Sequence, residues 1–398
     1  MPWKTDNEVG ARRRFIEERL ALGEARTVTV LCRQHGISRE CGYKWWRRFC
    51  AGGKPALRPQ TRATASARQL QLVWWPRLMQ VTRRCRDFGP KKLHWQLRRD
   101  YPRARLPAVS TLARWLEQAG RVRHRPRRAS PGPAIRLPGR LRGRCCNDVW
   151  TIDFKGRFRT RDGCWVYALT VRDLASRYLL CVQHLDRPTD TRISRVMRRL
   201  FRRHGLPRAI RMDNGQPFGA IGPRGWSRLN ILWLKLGIRL EHGRPGCPQD
   251  NPAHEQMHGV LKAQVTKPPS ANLRAQQRRF DRWRWRYNHL RPHEHLAMQV
   301  PAACYHPSPG GWPRTPVVWV YPPRWQRLTT DGKGRWRWRG RIRQLGRALV
   351  GEQLAARALS PDLLAIYLGP HLLGQLHADD PGCLRIVRRN LPPRSGRG

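Results

Sequence analysis

The chain has 398 residues, 39% of them apolar, which is enough for two to four domains with real cores. Lys and Arg number 80 against 26 Asp and Glu, and the resulting formal charge of +54 repels itself in a compact state unless a polyanion is present. The 11 Cys include no CxxC pair, no run approaches the ~20 apolar residues of a membrane span, and the start MPWKTDNEVGARRRF carries no signal-type segment. A disulfide scaffold, a zinc site, a membrane protein and an exported one are therefore not expected.

Residues 9–50 read as helices. VGARRRFIEERLALGEA is amphipathic, and TVTVLCRQHGISRECGYKWWRRF holds Gly36 between two short helical patterns. HGIS is a tight turn whose Ser38 can cap the next helix. That helix, about 39–49, carries Arg39, Lys44, Arg47 and Arg48, as the second helix of a DNA-binding helix-turn-helix would. A small helical bundle without DNA contact is the plainer alternative. Residues 51–65 are rich in Gly and Pro and read as a linker.

A second helical block covers about 66–120. It contains FGPKKLHWQLRR, with Lys91 and Lys92 as candidate DNA contacts, and VSTLARWLEQAG, where Ser110 suits an N-cap and Gly120 a C-terminal stop. It reads as a second helix-turn-helix. Residues 121–144, full of Arg and Pro, read as a flexible basic linker.

At Asn147 the texture changes. DVWTIDFKGRF, CWVYALTVRDL and RYLLCVQHL are strand candidates, followed by helical TRISRVMRRLFRRHG, the short strand AIRM, helical SRLNILWLKLG, the short strand IRLEH and helical NPAHEQMHGVLKAQV. That order predicts a mixed α/β domain with helices packed on a sheet. Residues 273–290 form a further helix. In it Trp283 and Tyr287 share a face, Trp285 falls on another, and Arg282 and Arg286 interleave with them. Two readings stay open there: aromatics on the core with merely solvated arginines, or arginines on a DNA backbone. Beyond about 312, VVWVY, RWRW, ALVG, LAIYLG and CLRIV predict a small β-rich, barrel-like or sandwich domain.

Acids are scarce, so each well-placed one is informative. Asp153 lies inside the apolar strand TIDF, where a carboxylate is costly unless paired or bound to metal. Asp213 ends AIRM and opens the turn DNG, at a strand end of the kind where α/β sheets place ligands. Glu255 lies one turn into a helix begun at about Asn251, with His258, Gly259 and Lys262 placed by spacing on the same face. Cutting and joining phosphodiesters needs an activated oxygen and a stabilised leaving oxygen, which two Mg²⁺ ions held by such carboxylates can supply.

The segments VWTIDFKG, IRMDNGQPF, LGIRLEHGRPGCPQDNPAHEQMHGVLK and RYNHLRPHEHLAMQVPAACY resemble the integrase-type catalytic core of bacterial insertion-sequence DDE transposases. The resemblance implies a ribonuclease-H-like fold, a triad at Asp153, Asp213 and Glu255, and a helper cation at Lys262. It also implies two Mg²⁺ ions, for which Mn²⁺ could substitute. The partners would be DNA, as terminal inverted repeats and as target, bound by a homo-oligomer in the bacterial cytoplasm on the nucleoid. The expected domains are 1–55 and 66–125 (helix-turn-helix), 145–307 (catalytic core) and 312–390 (β-rich). Asp213 and Glu255 are 42 positions apart, longer than the family's shortest spacing, and Pro252 stands where relatives usually have Gly. A catalytically decayed derivative that only binds DNA is the alternative.

Overall fold

A computed structural model of the chain describes residues 8–22, 27–58, 65–121, 141–220, 223–243, 252–309, 317–379 and 384–385. The chain divides into two compact units, residues 1–84 with 103–108, and residues 85–102 with 109–398.

In the first unit α1 (Glu8–Ala21), α2 (Val28–Gln34) and α3 (Arg39–Gly52) enclose a core of Phe15, Ile16, Leu31, Cys32, Trp45 and Leu57. The turn between α2 and α3 uses Gly36 at φ +62°, and Ser38 caps α3 by accepting from the Cys41 N–H at 3.2 Å, as its position predicted. The expected linker begins later than composition implied. α3 runs to Gly52, a 3₁₀ turn follows over Lys54–Leu57, and Leu57 is fully buried while its carbonyl accepts from the Arg12 guanidinium. The apolar side chain of Leu57 outweighs the Gly/Pro signal around it. α4 (Ala65–Arg84) completes the helices of this unit.

The second unit begins with α5 (Pro90–Asp100) and α6 (Val109–Gln118), so the boundary runs through the second helical block. Ser110 falls inside the first turn of α6 and not at its cap, because the helix already starts at Val109. Gly120 does stop it, at φ +64°. Most of the basic linker expected at 121–144 lies outside the described residues.

The central sheet contains β1 (Val149–Arg159), β2 (Trp165–Asp173), β3 (Leu179–Leu185), β4 (Ala209–Met212) and β5 (Arg239–His242) in the order β3-β2-β1-β4-β5. β1, β2 and β3 are antiparallel neighbours, while β4 pairs parallel with β1 and β5 parallel with β4. Alternation along β1 and β2 sends Trp150, Ile152, Leu169 and Val171 to one face. There they meet α7 (Asp190–His204) and α8 (Arg228–Lys235) through Ile193, Met197, Phe201, Leu229 and Trp233. On the other face Val166 and Ala168 meet α9 (Pro252–Leu261), the π turn Lys262–Thr266 and α10 (Leu273–His289), through Met257, Leu261, Phe280, Trp283 and Tyr287. This is a ribonuclease-H-like arrangement. The burial of Trp283 and Tyr287, with Trp285 left 53% exposed, assigns those two aromatics to the core.

α10 also finishes the exposed edge of β3. The Gln277 amide accepts from the His184 N–H and donates to the Val182 carbonyl. The Asn288 amide accepts from the Leu179 N–H and donates to its carbonyl, and Arg284 donates to the Leu180 carbonyl. Backbone groups that would otherwise template another strand are thereby satisfied by side chains.

The C-terminal region is β-rich. β6 (Gln326–Thr329), β9 (Gln353–Ser360), β10 (Leu363–Leu368) and β11 (His371–His377) form a sheet ordered β11-β10-β9-β6, and β7 (Arg335–Trp338) with β8 (Arg341–Gln344) forms a ribbon. RWRW and LAIYLG are strands, as expected. The first two residues of ALVG instead fall in a 3₁₀ turn over Arg347–Leu349, VVWVY has no strand pairing among the described residues, and CLRIV lies mostly outside the described residues.

A tight helix crossing lies in the first unit. A Cβ added at Gly42 of α3 would sit 2.1 Å from the Cys32 Sγ of α2. Gly42→Ala is expected to destabilise this unit by about 1–3 kcal/mol, as overpacking does. Thermal unfolding of the full chain would show it, and adding Cys32→Ala should recover most of the loss by making room.

Candidate active site

The site begins with strand register. Thr151 of β1 pairs with Arg211 of β4 in a parallel ladder, so Asp153 and Asp213 each lie two residues beyond the same pair. The DNG turn after β4 depends on Gly219, where a Cβ would stand 2.3 Å from the Asn214 carbonyl oxygen. Glu255 reaches the site from the first turn of α9, on the helix side of the sheet.

The negative charges of Asp213 and Glu255 both act on Asp153. Burial pushes Asp153 up to about 7 from an ordinary 3.8, and the negative charges of Asp213 and Glu255 add to the rise against the opposing pull of Lys155. Asp213 is also raised, first by partial desolvation, against the Gly215 N–H and His242, which favour its charged form. A partly desolvated carboxyl with two further acids acting on it suits a hard divalent cation.

Behind the carboxylates lies a buried polar cluster. His254 is fully buried, with Nδ1 2.8 Å from Thr151 Oγ1 and Nε2 2.7 Å from Thr170 Oγ1. Thr170 Oγ1 is also 2.8 Å from His258 Nε2, and His258 Nδ1 lies 3.6 Å from Asp153 Oδ2. Burial holds both imidazoles neutral; it lowers His258 to about 3, helped by the positive charges of Lys155 and Arg172. Asp153, His254 and His258 thus offer ligand atoms within 4.8 Å of one another. Both nitrogens of His254 are already engaged by hydroxyls, which leaves a hydrogen-bonded support rather than a histidine-rich metal cage.

Spacing had put His258 on one face with Glu255 and Lys262. The structure separates them: Glu255, Gly259 and Lys262 form the exposed stripe of α9 and the turn after it, and His258 faces inward. Thr151, Thr170, His242 and His254 escaped the sequence reading. His254 and His258 could have been found, because i and i+4 histidines flanking Glu255 on an amphipathic helix define its inner face.

The remaining candidates are not gathered at this site. Arg39, Lys44 and Arg47 are exposed on α3, and Arg48 is half-buried with its guanidinium 4.9 Å from the Trp45 ring centre. Lys91 on α5 is exposed but paired with Glu294 at 3.0 Å. Lys92 is half-buried, and burial lowers its ammonium against the pull of Glu294. Arg291, ion-paired with Asp87, further ties α5 to the core. Arg282 and Arg286 are exposed on α10.

The integrase core domain family matches residues 143–248 and again 236–301. Two curated relatives come from insertion elements. The chain is 27% identical over 299 residues to the uncharacterized 39.2 kDa protein of insertion element IS476 from Xanthomonas euvesicatoria, covering 73% of this chain and 75% of that one. It is 27% identical over 230 residues to the uncharacterized 31.7 kDa protein of insertion element IS407 from Burkholderia multivorans, covering 57% and 78%. Among solved structures, the simian T-cell lymphotropic virus intasome aligns at TM-score 0.35 and 18% identity over 63% of this chain and 82% of that one. The HTLV-2 integrase catalytic core with magnesium aligns at TM-score 0.33 and 16% identity over 42% and 100%.

The raised Asp153 has a stability consequence. The folded state holds a proton there that the unfolded chain releases near 3.8, so the contribution is fully present below that value and lost as pH rises through about 7. Without divalent metal, wild type should lose about 2–4 kcal/mol of stability relative to Asp153→Asn between about pH 5 and about pH 8, the buried neutral histidines acting on both proteins alike. Asp153→Asn should therefore be the more stable of the two, without metal, at the alkaline end. Parallel pH profiles for the two proteins would refute the assignment.

Proposed function

We propose that the chain is an insertion-sequence transposase built on an integrase-type core, and that it binds the ends of its element and catalyses metal-dependent cleavage and transfer of DNA strands. The observation that supports this reading is the register that sets Asp153 and Asp213 two residues beyond one β1–β4 pair, with Glu255 in the first turn of α9 and Asp153 pushed up to about 7 by burial and by its acidic neighbours.

The donor set fits Mg²⁺ or Mn²⁺, since all three groups are hard oxygen ligands on separate elements. Bound there, a pair of such ions supplies an activated attacking oxygen and a stabilised leaving oxygen for in-line phosphoryl transfer. The protein's own groups do the rest. Asp153 and Asp213 fix one side of the site through the sheet register, and Glu255 closes it from α9. Lys262, two turns further along and exposed, binds a DNA phosphate as a point charge.

End recognition belongs in this reading to the first helix-turn-helix, whose α3 presents Arg39, Lys44 and Arg47 to solvent with Arg48 beside Trp45. Arg282 and Arg286 hold the DNA backbone on the α10 side of the core. Joining two ends to one target calls for more than one active site, hence a homo-oligomer on DNA. Among the described residues no helix is long and apolar enough to cross a membrane.

Asp153→Asn, Asp213→Asn and Glu255→Gln should each reduce Mg²⁺-dependent nicking of end-bearing DNA to background, with end affinity within about twofold of wild type. Any one of them cutting at the wild-type rate would refute the triad. A wild-type chain that binds ends but never cuts would identify a decayed derivative. Lys44→Gln with Arg47→Gln should weaken end binding and lower the slope of log affinity against log salt by about one for each phosphate no longer neutralised, measured by gel shift across a salt series.

A further inference from the structure

The strongest unassigned feature is the buried threonine–histidine chain behind Asp153. Thr170 is the direct cross-strand partner of Asp153, and its hydroxyl lies 3.0 Å from the Asp153 carbonyl oxygen. Thr151 stands two residues before Asp153 on the same face of β1. The His254 imidazole spans both threonines, and the next residue on α9 is Glu255. His258, one turn on, meets Thr170 from the other side, and the two imidazoles stand edge to face at 4.6 Å and 89°.

We infer that Thr170, with Thr151, His254 and His258, is a positioning device that locks the Glu255 helix to the Asp153 strand and so sets the spacing of the metal-binding carboxylates. Stability alone does not call for such a chain. An apolar set of similar volume would fill the space between sheet and helix without polar groups to satisfy. Both hydroxyls and both His254 nitrogens have partners within the chain: the Thr151 hydroxyl meets His254 Nδ1, and the Thr170 hydroxyl donates to the Asp153 carbonyl and meets the Nε2 of both imidazoles. His258 Nδ1 stands 3.6 Å from the Asp153 carboxylate, too far for a hydrogen bond but against the side of the group it helps to place. Because the same hydroxyl touches both imidazoles and the Asp153 backbone, Thr170 is the junction of the device.

This inference rests on the triad as a metal site, and the test separates the two. Free Mn²⁺ is followed by electron paramagnetic resonance as full-length protein is titrated into it, beside Mg²⁺-dependent nicking and metal-free melting. Thr170→Val removes the hydroxyl at nearly constant shape. It should weaken Mn²⁺ binding by about 10–100-fold, in the range typical of groups that orient metal ligands, and shift the Mg²⁺ dependence of nicking upward. Metal-free melting should fall by no more than the cost of the buried groups left unpaired, so that the protein stays folded under assay conditions, and DNA affinity should stay close to wild type. Thr170→Ser, which restores the hydroxyl, should recover Mn²⁺ affinity to within about threefold. Should Thr170→Val lose its fold, Thr151→Val cuts the same chain at its far end and carries the same expectation. Equal Mn²⁺ affinity in wild type and valine variant, or no rescue by serine, overturns the positioning role while the triad stands. A wild-type chain whose Mn²⁺ binding is absent, or is indifferent to Asp153→Asn, overturns both.

Discussion

Keeping Asp153 partly out of water beside two other acids sets the demand that the catalytic core has to meet. Burial and two neighbouring negative charges raise the proton affinity of Asp153, and Lys155 and the Phe154 N–H on the same strand offset only part of that. The fold answers by dividing the work. The parallel ladder of β1 and β4 fixes two carboxylates by register, and α9 brings the third across the sheet. Apolar residues on both sheet faces hold these elements, so the polar groups need not supply the stability. The same sheet face carries Val166 and Ala168 toward α10 and Thr170 toward α9, a change from apolar to polar packing along one strand.

Elements whose signal is local were legible in the sequence. Ser38 followed by a basic amphipathic run fixed the start of α3, and alternation along β1 and β2 gave both strands, because each side chain there reports its own face. Asp153 was legible for the opposite reason: it breaks an apolar run where a carboxylate has no business unless something needs it. Elements defined by neighbours were harder. β9 reads QLAARALS, whose alanines favour a helix, yet Ala355 and Ala356 are buried because β6 and β10 flank them. VVWVY has the reverse problem. Its valines favour a strand, but Val318 and Val320 are 79% and 87% exposed, and the segment lacks a strand partner among the described residues.

The site divides in the same way. The three acids were readable because acids are rare in this chain. The residues behind them were not, since threonine in a strand and histidine in a helix are ordinary until the sheet and α9 bring them together. Lys91 and Lys92 show the limit of reading charge from composition. In a chain this basic, a lysine near an acid of the core is as available to that acid as to a phosphate, and Lys91 pairs with Glu294.

The capping of β3 by α10 bears on how the molecule answers to ionic conditions. Apart from the bond donated by Arg284, the hydrogen bonds that close this edge come from the amides of Gln277 and Asn288, which carry no charge. Salt screens the attraction between arginines and phosphates but leaves amide–backbone bonds almost untouched. One helix therefore carries two kinds of group with different sensitivities: the charges of its exposed arginines are screened as ionic strength rises, while its inner amides keep the edge of the sheet sealed.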